Sequence, residues 1–206
     1  MNLNINWGKF MRLHTQIGVT IVLLAGGILM ANQSGNCGGV GYKEYSSEDT
    51  ELNIKMDYIA GWEYREHRGS HGSYAQVQFY GAAQGAVAPS IIVTVEKVSD
   101  VDFSPLTVEA MAEDLINKRL KLEDSKVLSR METTLLDMPA MDITFAYKQK
   151  DRLRSLNFNM ILFKERVVVV QKGDRFYTLR YVNPEQTYEE FEQDFLHCLR
   201  TFTLKE

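Results

Sequence analysis

Cysteine is nearly absent from this chain: Cys37 and Cys198 are the only two among 206 residues. That excludes a disulfide framework, and neither residue has metal-ligand spacing around it, so at most a single bridge is open to them. An excess of basic charge is missing as well. The chain has 23 Lys and Arg against 27 Asp and Glu, a formal charge of −4, which is the wrong sign for gripping a nucleic-acid backbone. Nucleic acid is therefore not an expected partner. Familiar catalytic patterns are lacking too, since the chain has no G-x-S-x-G nucleophile elbow and no H-E-x-x-H metalloprotease signature. The glycines of GAAQGAVA (residues 81–88) are not followed by the Lys-Ser/Thr pair that completes a phosphate loop. Nor does any uncharged apolar run reach the roughly 18 to 20 residues of a comfortable bilayer span. The longest, Ile17 to Ala31, has 15.

What is present begins with that run. It follows Lys9 and Arg12 and ends on Leu29-Met30-Ala31, giving the positive flank, apolar stretch and small-residue exit of an export signal. Three fates stay open. Its short length and Gly18, Gly26 and Gly27 favour a cleaved signal, whereas Leu29 matches the A-x-A exit poorly and keeps an uncleaved anchor in play. Cys37 offers lipid attachment, although Ser34-Gly35-Asn36 before it makes a poor lipobox. A start at Met11 would leave a shorter signal with Arg12 as its basic region. The expected location is extracytoplasmic, periplasmic or membrane-anchored by residues 1–31. The alternative of a buried core helix is disfavoured by residues 32–50, rich in Gly, Ser, Asn and charge, which read as a flexible tether. Residues 51–206 then form a single domain. Without residues 1–31 the chain keeps 21 basic and 27 acidic residues, a charge of −6.

Leu52, Ile54 and Met56 alternate with polar residues, the period of a half-buried strand. Two more strands are expected at Tyr74–Tyr80 and Pro89–Val98, the second with the β-branched run Ile91 to Val95. The period changes over Thr107–Leu122, where Val108, Met111, Ala112, Leu115, Ile116 and Leu120 fall on one helical stripe behind Pro105 and an N-cap at Thr107. Strands resume at Lys126–Leu136, Met141–Lys148, Arg154–Phe163, Val167–Gln171 and Arg175–Val182, with Gly173-Asp174 as a two-residue hairpin. After Asn183-Pro184, Thr187 to Glu190 has the T-x-x-E form of a capping box. It opens a last helix with Phe191, Phe195, Cys198, Leu199 and Phe202 on its apolar stripe, which makes Cys198 a small buried hydrophobe. The expected class is α+β, an antiparallel β-sheet covered by helices.

From about Tyr45 to Phe202, this order of elements and several phrases resemble the PsbP-like family (PsbP/DcrB type). The phrases are Leu52 to Trp62 with Gly61-Trp62 closing the strand, Leu106-Thr107-Val108-Glu109 opening the central helix, and Leu136-Asp137-Met138-Pro139-Ala140 before a strand. Gly173 to Tyr181 and the final helix from Tyr188 to Phe202 complete the set. Where related chains often have Pro before the Gly-Trp turn, this one has Ile59-Ala60. The resemblance implies an α/β/α sandwich. It also implies binding or assembly in place of catalysis, the theme shared by a thylakoid photosystem II subunit, bacterial envelope proteins and a Ran-binding nuclear transport factor. No motif selects the photosynthetic branch.

Candidate chemistry is thin. His67 and His71 lie four apart beside Glu66, but Gly69 and Gly72 oppose a helix and no third ligand is near, so a solvated loop is expected over a metal site. Lys148, Lys150, Arg152 and Arg154 around Asp151 make a basic hairpin tip, suited to anionic headgroups or an acidic partner but equally to plain solvation. Gln76, Gln78, Phe79, Tyr80 and Gly81 to Ala88 border either a pocket or the core. No catalytic, cofactor-binding or metal-ligating residue is assigned, and no cofactor is expected. The leading expectation is an exported, membrane-proximal, non-catalytic binding or assembly-accessory protein, working with a membrane or membrane-protein complex. A carrier of a small apolar ligand and an enzyme with an unrecognised site are the alternatives.

Overall fold

Alternating side chains build most of this chain, and where both positions of the alternation are apolar the strand is buried on both faces. A computed structural model describes residues 41–69, 73–83, 87–100, 107–150 and 160–205. The expected leader, Cys37 and the first part of the expected tether lie outside them. Among the described residues, no helix is long and apolar enough to cross a membrane.

The main sheet is antiparallel and has seven strands. In spatial order they are β3 (Glu63–Arg68), β4 (Tyr74–Tyr80), β5 (Ser90–Lys97), β9 (Arg175–Pro184), β8 (Met160–Lys172), β7 (Met138–Lys150) and β6 (Glu123–Leu135). A smaller sheet places β2 (Ile54–Ile59) between β1 (Tyr42–Ser46) and β10 (Thr203–Leu204). The architecture is thus α+β with two antiparallel sheets, not the one sheet expected. Helix α1 (Val108–Arg119) and helix α2 (Tyr188–Thr201) take opposite faces of the main sheet.

On one face, Val77, Phe79, Ile91, Val93, Leu179 and Tyr181 meet Phe195 and Cys198 of α2 and Ile54 and Met56 of β2. On the other, Ile143, Phe145, Tyr147, Val167 and Val169 meet Met111, Ala112 and Ile116 of α1. Each fully buried large aliphatic side chain contributes about 1.5–3 kcal/mol, so these two clusters hold the layers together.

Several local expectations are met. Thr107 caps α1 by accepting the Ala110 N–H at 3.2 Å, and Lys172 pairs with Arg175 across a two-residue turn in which Gly173 has φ +63°. Others need correction. The tether reading for residues 32–50 fails at its end, because Tyr42–Ser46 pair with β2 and Tyr45 is buried. The polar loop expected around His67 is strand β3, whose edge position and solvated faces leave no hydrophobic alternation to read. The strands expected at Arg154–Phe163 and Val167–Gln171 are one continuous β8 from Met160, and Arg154 lies outside the described residues. Its charged interruption, Lys164-Glu165-Arg166, is absorbed by ion pairs. Leu120 leaves the buried stripe to cap α1 at 48% exposure. The T-x-x-E capping box does not form either. A 3-10 turn at Glu185–Thr187 precedes α2, and the Thr187 hydroxyl accepts no backbone N–H.

Candidate functional site

Charged side chains that sequence reasoning missed form three clusters. In the first, Glu165 of β8 is fully buried and takes hydrogen bonds from Arg119 Nε at 2.6 Å, Arg119 Nη2 at 2.8 Å and Arg180 Nε at 2.7 Å. Burial alone would raise its pKa, but the Arg180 and Arg119 guanidiniums outweigh that and hold it at about 2. The cluster ties the last residue of α1 to β8 and β9. Beneath Arg119, the buried Tyr147 phenol is pushed upward, first by burial and then by the charge of Glu165. In the second cluster, Asp142 of β7, 5% exposed, receives Arg166 Nη2 at 2.7 Å, and Arg166 also reaches Glu192 of α2 at 3.4 Å. Both clusters lock a helix to the sheet.

The third joins β1 and β2 to α2. Tyr42 Oη donates to the buried Asp194 carboxylate at 2.7 Å, and its ring stacks on His197 at 3.8 Å between centroids. His197 Nε2 in turn lies 3.0 Å from Asp57 Oδ2. Burial and the Asp194 contact push the Tyr42 phenol up to about 12. Cys198, beside this cluster, is a buried free thiol that burial pushes up to about 12, as suits a core hydrophobe and not a nucleophile.

The residues singled out from sequence are scattered. His67 is exposed on β3, whereas His71 lies outside the described residues. Among the described residues, no group of three or more His, Cys, Asp and Glu side chains is placed to hold a metal. Lys148 pairs with Asp124 at 2.7 Å, while Asp151, Arg152 and Arg154 of the basic tip fall outside the described residues. Phe79 is core, but Gln76 and Gln78 point to the other face half-buried, and Tyr80 donates to Glu63 at 2.9 Å. A shallow cleft does exist, lined by Glu51, Arg68, Lys97 and Arg175 together with Ser73 and Tyr74. Its walls are charged, and its cations already engage carboxylates: Lys97 and Arg175 hold Glu51, and Arg68 holds Asp49.

Exposed apolar surface, by contrast, is concentrated. Among the described residues, six of the eight exposed large hydrophobic side chains fall within residues 120–138, namely Leu120, Leu122, Val127, Leu128, Met131 and Met138. They lie on and around β6, a 13-residue strand at one end of the main sheet whose outer edge pairs with no strand among the described residues. Its first half is irregular, with register shifts between Glu123 and Lys126 and between Val127 and Ser129, and with φ +49° at Asp124. From Ser129 to Leu135 the ladder with β7 runs without interruption. Ser129, Met131 and Thr133 share one face of that stretch. Arg130 and Glu132 share the α1 face, where Arg130 reaches Glu113 at 2.5 Å. The signal for this surface was in the sequence: a strand with apolar residues on both faces, Val127, Leu128 and Met131, but too many charges for a buried one.

No family model matches the sequence, and no curated protein matches it. Solved structures do. Cyanobacterial PsbP (CyanoP) from Synechocystis sp. aligns with a TM-score of 0.53 at 15% identity, over 82% of this chain and 98% of CyanoP. LpqN of Mycobacterium tuberculosis, described as involved in cell envelope biogenesis, aligns at 0.50 with 13% identity over 82% of this chain and 93% of LpqN. The Ran-binding protein Mog1p of Saccharomyces cerevisiae aligns at 0.50 with 14% identity over 80% of this chain and 96% of Mog1p. At such identities the likeness speaks for architecture, and the architecture of this chain is the PsbP-like fold.

Proposed function

We propose that this chain is an exported, membrane-proximal binding or assembly-accessory module that acts by contact and not by catalysis, with the β6 edge as its contact surface. The observation that carries the reading is the clustering of exposed Leu, Val and Met side chains on and beside one open strand. Contiguous exposed apolar surface beside an unpaired edge is how sheets recruit partner chains. The polar clusters support the same reading, because each ionic group is engaged in fixing a helix or a strand to the sheet. Export is supported by the Lys9/Arg12-flanked run Ile17 to Ala31. Similar solved structures include one named for cell-envelope biogenesis and one for Ran binding, which accords with a scaffold used for contacts.

Fractionation of cells with intact-mass measurement tests the address. An extracytoplasmic or membrane fraction is expected, with a mass matching the full chain, a chain from Asn32, or a lipidated chain from Cys37. Co-purification from mildly solubilised membranes tests the contact role, and a chain recovered always alone and always from cytosol refutes the reading. A cargo carrier would instead show added mass in native mass spectrometry.

A further inference from the structure

The β6 edge has a charge pattern that selects its occupant. We propose that Ser129–Thr133 of β6 pairs antiparallel with the same stretch of a second copy of this chain, with Met131 on the two-fold axis. This rests on the reading of β6 as a contact surface and names its partner.

The register follows from the side chains. When a strand pairs antiparallel with itself across a two-fold axis normal to the sheet, each face continues into the same face of the copy, and residues equidistant from the axis stand opposite each other. Centring the axis on Met131 sets Arg130 opposite the partner's Glu132 and Glu132 opposite the partner's Arg130. Both pairs lie on the α1 face of the sheet. On the other face, Ser129 meets the partner's Thr133, and the two Met131 side chains, each 53% exposed, cover one another.

Neighbouring registers do worse. An axis on Arg130 opposes two guanidiniums, and one on Glu132 opposes two carboxylates, both unfavourable for directly facing residues. An axis on Ser129 would bring Lys126 level with Glu132, but the register shift between Val127 and Ser129 places those two on opposite faces. Within the uninterrupted stretch, the Met131-centred register is the one in which Arg130 and Glu132 meet each other's charge. The irregular first half of β6 then has a role as well: it confines regular pairing to Ser129–Thr133 and blocks a slipped alignment. Arg130 need not abandon the sheet to do this, because its present partner Glu113 sits on the same face and a guanidinium serves two carboxylates. A five-residue strand pair is a small interface, below about 1,200 Å², so association depends strongly on concentration.

The test uses the full chain in mild detergent with Cys37→Ser, leaving only the buried Cys198 as background thiol. Met131→Cys is oxidised gently over a concentration series and followed by non-reducing electrophoresis and intact mass. A disulfide-linked homodimer is expected from Met131→Cys and not from Lys126→Cys, since facing Cβ atoms on the axis are about 4.5–5.5 Å apart. Adding Arg130→Glu cuts the yield about tenfold through like charges facing on both sides of the axis, and adding Glu132→Arg to that restores it. Equal yield with Arg130→Glu, or no rescue by the double exchange, overturns the register. If the Met131→Cys variant in cells links to a different protein and not to itself, self-pairing is wrong and the contact surface stands. If it links to nothing in cells or in vitro, both fall.

Discussion

Replacing Glu165 by Gln is the sharpest probe of how this fold is held. The carboxylate is fully buried, and the Arg119 and Arg180 side chains that embrace it are each only 13% exposed. Gln keeps the shape but removes the charge, so two guanidiniums are left close together without their counter-charge. Breaking a buried ion pair in this way costs about 3–5 kcal/mol. The pH dependence gives a second handle on the same group. Its pKa falls from 4.5 to about 2 on folding, which at 1.36 kcal/mol per pH unit corresponds to roughly 3 kcal/mol of stability. Because the folded value is the depressed one, this contribution is complete above pH 4.5 and is lost as the pH falls from there toward 2.

Urea unfolding at pH 7, 5, 4 and 3, read from the half-buried Trp62 against Phe191, measures both effects. The parent is expected to lose stability steeply below pH 4.5. The Gln variant should start about 3–5 kcal/mol lower at pH 7 and show a shallower acid slope, since the difference between the two curves isolates Glu165 from other carboxylates such as Asp49. Exchanging Glu165, Arg119 and Arg180 together for Met removes all three charges and is expected to be within about 1 kcal/mol of the parent, or more stable. A Gln variant within about 1 kcal/mol of the parent, or one with the parent's full acid slope, would refute the electrostatic account.

Other substitutions follow from single contacts. At the β6–β7 turn Leu136 and Asp137 both have positive φ, +57° and +59°, a conformation that favours Gly, so Asp137→Gly should raise unfolding stability by about 0.5–1 kcal/mol; a loss would mean that the turn is not strained. Tyr42→Phe removes the hydroxyl that satisfies Asp194 and should cost about 1–3 kcal/mol, with faster amide exchange across Tyr42–Ser46 as the local readout. Thr187→Ala should cost less than the ~1 kcal/mol typical of a helix N-cap, since the Thr187 hydroxyl caps nothing; a full capping penalty in the melting curve would restore the capping box.

Legibility in the sequence tracks how strictly each element obeys one period. Tyr74–Tyr80 is legible to the residue because every second side chain is core. Thr107 and the α1 stripe are legible because cap, period and burial agree. Strand β3 is invisible, since an edge strand solvated on both faces has no hydrophobic period to display. β1 is hidden in the same way, contributing one buried aromatic, Tyr45, within a polar segment. The capping box fails for a different reason: Asn183 Nδ2 donates to the Thr187 carbonyl at 2.8 Å and Tyr181 Oη donates to that of Tyr188 at 2.6 Å, so tertiary contacts set the start of α2. The ionic clusters are unreadable as pairs because their members are 15 to 152 residues apart. One trace of them is visible: Glu165 occupies a core-facing position between Phe163 and Val167, a charge where the period demands an apolar residue.

The two edges of the main sheet also differ in a way that bears on what the chain does. At the β3 end, Glu63, Arg65, Glu66, His67 and Arg68 line a six-residue strand, and Arg68 is drawn sideways onto Asp49 at 2.7 Å. Short length and dense charge are the devices by which an edge resists joining another chain. At the β6 end the strand is twice as long, and its charges are fewer in the uninterrupted stretch, where Arg130 and Glu132 flank Met131. A protein that only needed to stay monomeric would gain by treating both edges as it treats β3. That one edge is closed by charge while the other pairs its two charges symmetrically about an exposed methionine is the asymmetry expected of a sheet that extends in one direction only.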